Sequence, residues 1–452
     1  MVEREHLAPH GANLPKPLPR QCVWQDCEVG VIFHFDMSVF ADGGWSQREA
    51  IHRTWDPARY VPTKLDTDQW LAAATAMGAR YAILTATHFN GFLQWQSDLY
   101  PYGVKQAPWR DGKGDLVRDF IESCHRCGIK PGLYLSCFRN AWWEVDQYRV
   151  GYGQGGDQQA AFARTCERMV EELCSRYGEL VQIWFDAGLL APRDGGPDVL
   201  PIVDKHQPNM VFYHSPQRRE HRWIGNERGY AGSPCWATMP DAATADRIHK
   251  GKVADSKALL EHGDPDGPLW CPAMVDTVLR NHHWFWVPDS EHTIEPLERL
   301  VQFYYDSVGR NANLVLGLTP APDGLVPDAD MRRCEEFGRE IRRRFATPIA
   351  HTSGAGAELA LALPRPQRID HVVVMEDIAA GERIREYVVE GLVPGNTWQP
   401  LCAGTSIGHK RIHQFAPTEV ASIRLRAGRS VAPPVVRSLE AYLKQADSGL
   451  QS

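Results

Sequence analysis

Residues 181–186 of this chain are Val-Gln-Ile-Trp-Phe-Asp, and this stretch decides the predicted fold. Apolar residues run up to a single carboxylate, Asp186, and Ala187-Gly188 follow, a pattern typical of a short buried strand that ends in an acid. In a parallel α/β barrel, the catalytic groups lie at the carboxyl ends of the strands. We therefore predict that Asp186 is catalytic. The alternative at this point is an aspartate that caps the next helix or binds a loop amide.

Strand-like and helix-like segments alternate on both sides of this stretch. Apolar runs predict strands, and apolar residues at helical spacing predict helices. The predicted strands lie at 30–35, 80–84, 129–136, 181–186, 210–213 and 312–318, and the predicted helices at 66–77, 116–127, 160–177, 197–206, 295–308 and 328–345. Residues 214–290 are expected to form long loops. This alternation predicts a (β/α)8-type, TIM-like barrel.

The pattern changes after the last predicted helix. From about residue 350 the helical period disappears, and short alternating segments separated by Gly and Pro turns take its place. Such segments are typical of an antiparallel β-sandwich. We therefore predict a catalytic barrel domain at 1–346 and a C-terminal β-sandwich domain at 347–452.

Composition limits the classes of function. The chain has 452 residues and a formal net charge of -7, which gives no basic surface for nucleic acid or for an anionic membrane. The first residues form no apolar signal core, and no run is long enough to span a membrane, so a cytoplasmic setting is expected. The sequence leaves the oligomeric state open.

The cysteines indicate the redox state of the chain, and the tryptophans indicate a class of ligand. The 11 cysteines follow no regular spacing, which favours reduced thiols. The pair Cys124-x-x-Cys127 lies on a predicted helix, on or near its buried face, and has no second pair at a zinc-site spacing, so we expect core residues there. The 15 tryptophans favour a carbohydrate ligand, although large cores also contain tryptophan.

A barrel mouth rich in tryptophan, histidine and carboxylates suits glycoside hydrolysis. That chemistry needs an ionised carboxylate and a second carboxyl group that acts as an acid. Asp186 supplies the first group. Glu227 is the preferred acid, because glycines and aromatic residues flank it, but it could instead pair with Arg222 or Arg228. The other candidates for the acid are Asp241, Glu261 and Asp276.

Seven motifs in order resemble the α-L-fucosidases of glycoside hydrolase family 29. They span roughly residues 28–345, and the C-terminal segment 404–410 also resembles the second domain of that family. The motifs are His34-Phe35-Asp36, residues 87–92 with Trp95, residues 102–106, residues 114–117, Gly132-Leu133-Tyr134, Trp184-Phe185-Asp186 and residues 309–314.

This resemblance implies a retaining double displacement on a fucosylated oligosaccharide or glycan. Asp186 matches the nucleophile of the family, and Glu227 resembles the acid/base of one subgroup. In a retaining enzyme the two carboxyl groups lie about 5–5.5 Å apart. The expected substrate-binding residues are His34, His88, Tyr134, Trp184, Trp286 and Trp45.

One departure from the family pattern concerns the linkage that is cleaved. Many members have His-His-Asp-Gly-Phe where this chain has His88-Phe89-Asn90-Gly91-Phe92. With Asn226-Glu227, this substitution resembles the subgroup that prefers α-1,3/1,4-linked fucose, although Phe89 could also reflect a changed pocket. No cofactor or metal is implied. The alternative functions are a non-catalytic carbohydrate-binding protein and, less favoured, a metal-dependent hydrolase that uses His34, His88 and Asp186.

Overall fold

A computed structural model describes residues 14–41, 53–153 and 155–444. Eight parallel strands form one sheet that nearly closes into a barrel, and the eighth strand pairs with the first, with Leu314 opposite Val29. The predicted barrel is confirmed in this form. The strands are β1 Val29–Phe33, β2 Tyr81–Thr87, β3 Lys130–Leu135, β4 Gln182–Phe185, β5 Val211–Tyr213, β6 Arg222–Trp223, β7 Ala273–Val278 and β8 Ala312–Leu318.

Helices follow most of these strands and cover the outside of the sheet. Local signals set several of their ends. For example, the Asp115 carboxylate accepts a hydrogen bond from Arg118 N–H at 2.9 Å, and Gly128 ends the same helix at a φ of 68°. The helices are α1 Pro19–Gln25, α2 Thr67–Met77, α3 Leu116–Cys127, α4 Asp157–Arg176, α5 Leu200–His206, α6 Ala242–His249, α7 Ser256–His262, α8 Leu297–Asp306 and α9 Asp328–Phe345.

The barrel departs from ideal alternation between β5 and β6. These strands are the two edges of the sheet, and residues 214–221, which join them, contain no helix. Eight residues are too few for a helical crossover, which needs a dozen or more. The longer segment between β6 and β7 contains α6, α7 and a two-stranded ribbon of Thr238–Met239 and Leu269–Trp270.

The prediction of loops throughout 214–290 was therefore wrong. Residues 273–278 form a fully buried strand of the barrel, and two helices lie before it. The sequence Ala-Met-Val-Asp-Thr-Val does not show an uninterrupted apolar run, because Asp276 divides it. In the folded chain that carboxylate points into the barrel, where other polar groups and a cavity surround it.

Alternation along the strands decides which side chains fill the barrel. Ile32, Tyr134, Trp184 and Met274 pack together inside it, whereas their neighbours in sequence pack against the outer helices. In β2 the pairing with β3 shifts between Thr85 and Thr87, so one extra residue is inserted there. Such a bulge reverses the side on which the following residues point.

The C-terminal part is a six-stranded antiparallel sheet with its own apolar core. The predicted antiparallel architecture is confirmed, and the packing of two layers that defines a sandwich stays a prediction. Helix α9 ends at Phe345 and this sheet begins at Ala350, on either side of the predicted boundary. The strands are β9 Ala350–Ala355, β10 Glu358–Glu376, β11 Ile384–Val393, β12 Thr397–Gly404, β13 Arg411–Ser430 and β14 Val435–Tyr442.

Polar contacts join the C-terminal sheet to the amino-terminal ends of barrel strands. The buried Glu382 carboxylate accepts hydrogen bonds from Asn311 Nδ2 at 2.6 Å and from Ala237 N–H at 3.0 Å. His409 Nε2 lies 2.9 Å from an Asp26 carboxylate oxygen. Since Asp26 precedes β1 and Asn311 precedes β8, the C-terminal sheet contacts the end of the barrel opposite the carboxyl ends of the strands.

The predicted pair of core cysteines, Cys124 and Cys127, is only partly confirmed. The 11 cysteines are all free; Cys124 is buried, but Cys127 is exposed, so only one thiol of this pair lies on the buried helix face. Cys127 is the last residue of α3, where the helix face turns to solvent.

Among the described residues, no helix has the length and apolar character to cross a membrane.

A buried ion pair between the loop after β7 and α9 should contribute strongly to stability. Arg280 Nε lies 3.1 and 3.0 Å from the two carboxylate oxygens of Asp330, and both side chains are almost fully buried. Asp330→Ala would leave the guanidinium buried without its charge partner, so we expect the free energy of unfolding to fall by about 3–5 kcal/mol. Urea unfolding followed by tryptophan fluorescence measures this.

A matched control is the exposed pair of Arg218 and Asp204, whose two contacts are 2.7 and 2.8 Å long. Asp204→Ala should cost only about 0–1 kcal/mol, because water solvates both charges after the change. Equal losses in Asp330→Ala and Asp204→Ala would contradict the stabilising role of the buried pair.

Candidate active site

Asp186 lies at the carboxyl end of the barrel, one residue after β4. It follows Trp184 by two positions, so both side chains point into the barrel. The Tyr134 hydroxyl donates a hydrogen bond of 2.8 Å to its Oδ2 atom. Burial raises the pKa of Asp186 above its usual value, while the Tyr134 hydroxyl and the Ala187 N–H oppose that shift by stabilising the ionised form.

A cavity of about 480 Å³ opens above this carboxylate, at the carboxyl ends of the strands. Four of the predicted substrate-binding residues line it together with Asp186 and Glu227. The complete lining is Ile32, His34, His88, Phe89, Tyr134, Trp184, Asp186, Glu227, Asp276 and Trp284.

His34 and His88 form one wall of the cavity. His34 directly follows β1, and the bulge in β2 turns His88 towards the same space. Burial lowers the pKa of His34 to about 3 and holds that of His88 well below its usual value, so both rings are neutral at physiological pH. The Nδ1 atoms of both rings are buried without a hydrogen-bond partner among the described residues. Neutral imidazole can donate and accept hydrogen bonds, as binding of hydroxyl groups requires.

Two further carboxyl groups share the cavity with Asp186. Glu227 is exposed at the rim, and its Oε2 atom accepts a hydrogen bond of 3.0 Å from Trp284 Nε1. Asp276 is 4% exposed, and its Oδ1 atom accepts a bond of 2.7 Å from Trp223 Nε1. Burial, with a smaller contribution from the negative charge of Glu227, raises the pKa of Asp276 well above its usual range.

Of the three predicted alternatives to Glu227, Asp276 lines the cavity, whereas Asp241 and Glu261 do not. Asp241 is exposed and caps α6, since its carboxylate accepts a bond of 3.1 Å from Thr244 N–H. Glu261 lies on α7, away from the cavity. Arg222, suggested as an ion-pair partner of Glu227, is instead buried against the carbonyl oxygens of Leu260 and Cys271.

The structure corrects the choice of tryptophan after β7. Trp286 lies outside the cavity and lines two other surface depressions. Trp284, two residues earlier, lines the cavity, and its ring centroid is 5.1 Å from that of His34. The sequence His-Trp-Phe-Trp could not distinguish the two, because the loop is irregular and His282 has a φ of 66°. Trp45 lies outside the described residues.

The structure brings together an acid at the base of the cavity, an acid at its rim and neutral polar groups between them. Two carboxyl groups in unlike environments can divide the roles of nucleophile and proton donor. Sequence reasoning placed Asp186, His34, His88, Tyr134 and Trp184 here, but it missed Trp284. Among the described residues, no group of three or more His, Cys, Asp or Glu side chains is arranged to hold a metal ion.

Comparisons with known proteins identify the family of this chain. A model of the alpha-L-fucosidase family matches residues 13–343. "Alpha-L-fucosidase 1" of Arabidopsis thaliana is 28% identical over 97% of this chain and 89% of its own length. A protein of Oryza sativa subsp. japonica, provisionally described as alpha-L-fucosidase 1, is 30% identical over 94% of this chain and 84% of its own. A crystal structure from Bacteroides thetaiotaomicron VPI-5482, provisionally described as an alpha-L-fucosidase, superposes with a TM-score of 0.92 at 46% identity and covers 96% of this chain and 100% of its own.

Proposed function

This chain belongs to the alpha-L-fucosidase family, and from that premise we propose that it removes terminal α-L-fucose by a retaining double displacement through a covalent fucosyl-enzyme. Its activity is that of an alpha-L-fucosidase, a glycoside hydrolase that acts on fucosylated substrates. The observation that supports the mechanism most directly is the presence of Asp186 and Glu227 in the lining of one cavity.

In the first step, an Asp186 oxygen attacks the anomeric carbon of fucose. The bond from that carbon to the leaving oxygen breaks, and Glu227 donates a proton to the oxygen. The hydrogen bond from Tyr134 supports this role of Asp186, because it stabilises the ionised carboxylate against the cost of burial. In the second step, Glu227 takes a proton from water, and the resulting hydroxyl attacks the anomeric carbon and releases Asp186.

The position of Glu227 suits both halves of this cycle. It is exposed at the cavity rim, so a leaving sugar and then a water molecule can reach it. The Trp284 N–H orients one of its oxygens and leaves the other oxygen without a bond from a described residue. Glu227 is therefore the proposed acid/base, with Asp276 as the competing residue in the same cavity.

The cleaved linkage is proposed to be α-1,3 or α-1,4. The support is Phe89, which lines the cavity at the position where many family members have a second histidine. The guanidinium of Arg139 lies 5.2 Å from the Phe89 ring centroid and also binds Asp146 at 3.0 Å, so this aromatic wall is held in place. A panel of α-1,2-, α-1,3-, α-1,4- and α-1,6-linked fucosides tests the preference. Equal cleavage of all four would contradict it.

The retaining mechanism is tested by the first product formed. Proton NMR of a fresh reaction should show α-L-fucose before mutarotation, because two inversions restore the original configuration. A 2-fluoro fucosyl fluoride should label a peptide that contains Asp186, as detected by mass spectrometry. Release of β-L-fucose as the first product would contradict the double displacement.

Removal of the Tyr134 hydroxyl should change the pH dependence of the reaction. Hydrogen bonding to an ionised carboxylate lowers its pKa. Tyr134→Phe removes such a bond from Asp186, so the pKa of Asp186 should rise and the acid limb of the kcat/KM profile should move to higher pH. Turnover of an aryl α-L-fucoside between pH 3 and pH 8 measures the shift. An acid limb that stays in place would show that it does not report Asp186.

The competing function, carbohydrate binding without turnover, is not supported. A binding protein on this scaffold does not need the two carboxyl groups, whereas both line the cavity of this chain. Hydrolysis of an aryl α-L-fucoside by the purified protein distinguishes the two functions directly.

A further inference from the structure

A second, larger depression adjoins the active-site cavity. Its empty space, which is open to solvent, is about 1800 Å³, compared with about 480 Å³ for the cavity, and Glu227 and Trp284 line both. We refer to it as the outer groove. It lies between the irregular segment 223–230, α7 and the start of α8, and Trp223 and Tyr230 add aromatic surface to its wall.

The position of the outer groove suits the leaving group of the proposed reaction. If Glu227 donates a proton to the leaving oxygen, as the proposed function states, the atoms bonded to that oxygen extend past Glu227 and away from Asp186. Because the cavity and the outer groove meet at Glu227, the outer groove is the space that receives them. Its volume is several times that of the cavity.

The charge of the outer groove differs from that of the whole chain. The chain has a formal net charge of -7, yet three cationic side chains, Arg228, Lys257 and Arg299, line the groove. The carboxylates that line it are Glu227 and Glu295. The lining therefore carries a net charge of +1, which becomes +2 when Glu227 carries the proton that it donates.

These three cationic side chains form no salt bridge with the described residues. No carboxylate of the described residues lies within salt-bridge distance of Arg228, Lys257 or Arg299. Arg228 and Lys257 are exposed, and Arg299 packs on the Phe303 ring with its guanidinium 4.7 Å from the centroid.

We propose that the outer groove binds a leaving group that carries a negative charge, either the carboxylate of an acidic sugar or a sulfate ester. This inference rests on the proposed function, and it names the chemical class of the aglycone. Aromatic rings from Trp223 and Trp284 contact the sugar faces, while Arg228, Lys257 and Arg299 bind the anionic substituent. Guanidinium groups suit this role, because their N–H groups match the oxygens of carboxylates and sulfates.

The test compares three forms of one fucosylated trisaccharide: neutral, sulfated on a leaving-group sugar, and extended there by a carboxylated sugar. Hydrolysis is followed by release of fucose, and an aryl α-L-fucoside is assayed in parallel. At low ionic strength, kcat/KM should be higher for an anionic form than for the neutral form. This preference should decline between about 0.01 M and about 1 M sodium chloride, as the Debye length falls from about 30 Å to about 3 Å.

Substitutions in the outer groove test which side chains cause the preference for anionic substrates. Lys257→Gln and Arg228→Gln should each lower the ratio of anionic to neutral kcat/KM by about two- to fivefold, the range of an exposed ion pair. Arg365→Gln removes the same charge from an exposed position on β10 and should leave the ratio unchanged. Melting temperatures confirm that each variant is folded.

The results of these assays distinguish a failure of the anionic leaving-group inference from a failure of the proposed function. A preference for the sulfated or the carboxylated form supports the inference and identifies the source of the charge. Equal kcat/KM for all three forms, or equal losses on neutral and anionic substrates in Lys257→Gln, would overturn it while the alpha-L-fucosidase assignment stands. Absence of hydrolysis of the aryl α-L-fucoside would refute the proposed function itself.

Discussion

Asp186→Asn should lower kcat for an aryl α-L-fucoside by about 10⁴-fold, a loss typical of removing one member of a catalytic set. Asparagine keeps the shape of the side chain and an oxygen that accepts the Tyr134 hydrogen bond, but its amide cannot form the glycosyl ester. Steady-state kinetics with an activated aryl fucoside measure the loss. Asp186→Ala with added azide should produce β-L-fucosyl azide, because azide attacks from the side of the missing carboxylate.

The fold of Asp186→Asn should be intact. Burial raises the pKa of Asp186, so the ionised side chain destabilises the folded state above the usual pKa of an aspartate. A neutral side chain removes this cost at pH 7, and the melting temperature should be equal to or higher than that of the parent. The difference should disappear as the pH falls and the parent carboxyl takes up its proton. Near-normal turnover by a folded Asp186→Asn would refute the assignment of the nucleophile.

Glu227→Ala should lower kcat/KM for a natural fucosylated oligosaccharide by about 10²–10⁴-fold, the usual contribution of general acid catalysis. The loss in the first step should be much smaller for an aryl fucoside with an acidic phenol, because that leaving group needs no proton. Hydrolysis of the fucosyl-enzyme then limits the rate. Azide should restore turnover and release α-L-fucosyl azide, with the configuration of the substrate retained.

Asp276→Asn is the matched comparison for Glu227→Ala, since both carboxyl groups line the same cavity. Asp276 accepts a hydrogen bond from Trp223, and burial raises its pKa well above the usual range. The neutral amide should therefore keep most of the activity, and azide should have no effect on it. If azide rescued Asp276→Asn and not Glu227→Ala, Asp276 would be the acid/base.

The active site was predictable where residues follow directly from a strand. His34, His88, Tyr134, Trp184 and Asp186 lie within or directly after β1 to β4, and the carboxyl ends of parallel strands meet at one edge. Position along the chain was therefore enough to group Asp186, His34 and His88, whereas Tyr134 and Trp184 were expected here from the resemblance to the family. The retaining mechanism requires a short separation between the carboxyl groups of Asp186 and Glu227, and that separation stays a prediction. The cytoplasmic setting also stays a prediction.

Other parts of the site depended on contacts between distant segments. The loop after β7 has no regular period, so the sequence could not decide between Trp284 and Trp286. Residues 273–278 did not show a strand pattern, because Asp276 interrupts the apolar run. Glu227 was preferred from its neighbours in sequence, but the hydrogen bond that orients it comes from Trp284, 57 residues away.

Local sequence patterns were enough to predict the order of strands and helices in most of the barrel, the ends of helices such as α3, and the place of Asp186 at a strand end. These features follow from interactions within a few residues, such as helix caps and apolar periodicity, which a single segment already contains. The folded chain was needed to see that Glu227 and Asp276 share the cavity with Asp186, that Trp284 completes its lining, and that β5 and β6 leave the barrel open. Those features depend on how the sheet curves and on where long loops return to it, because their energies come from packing and charge between segments far apart in the chain.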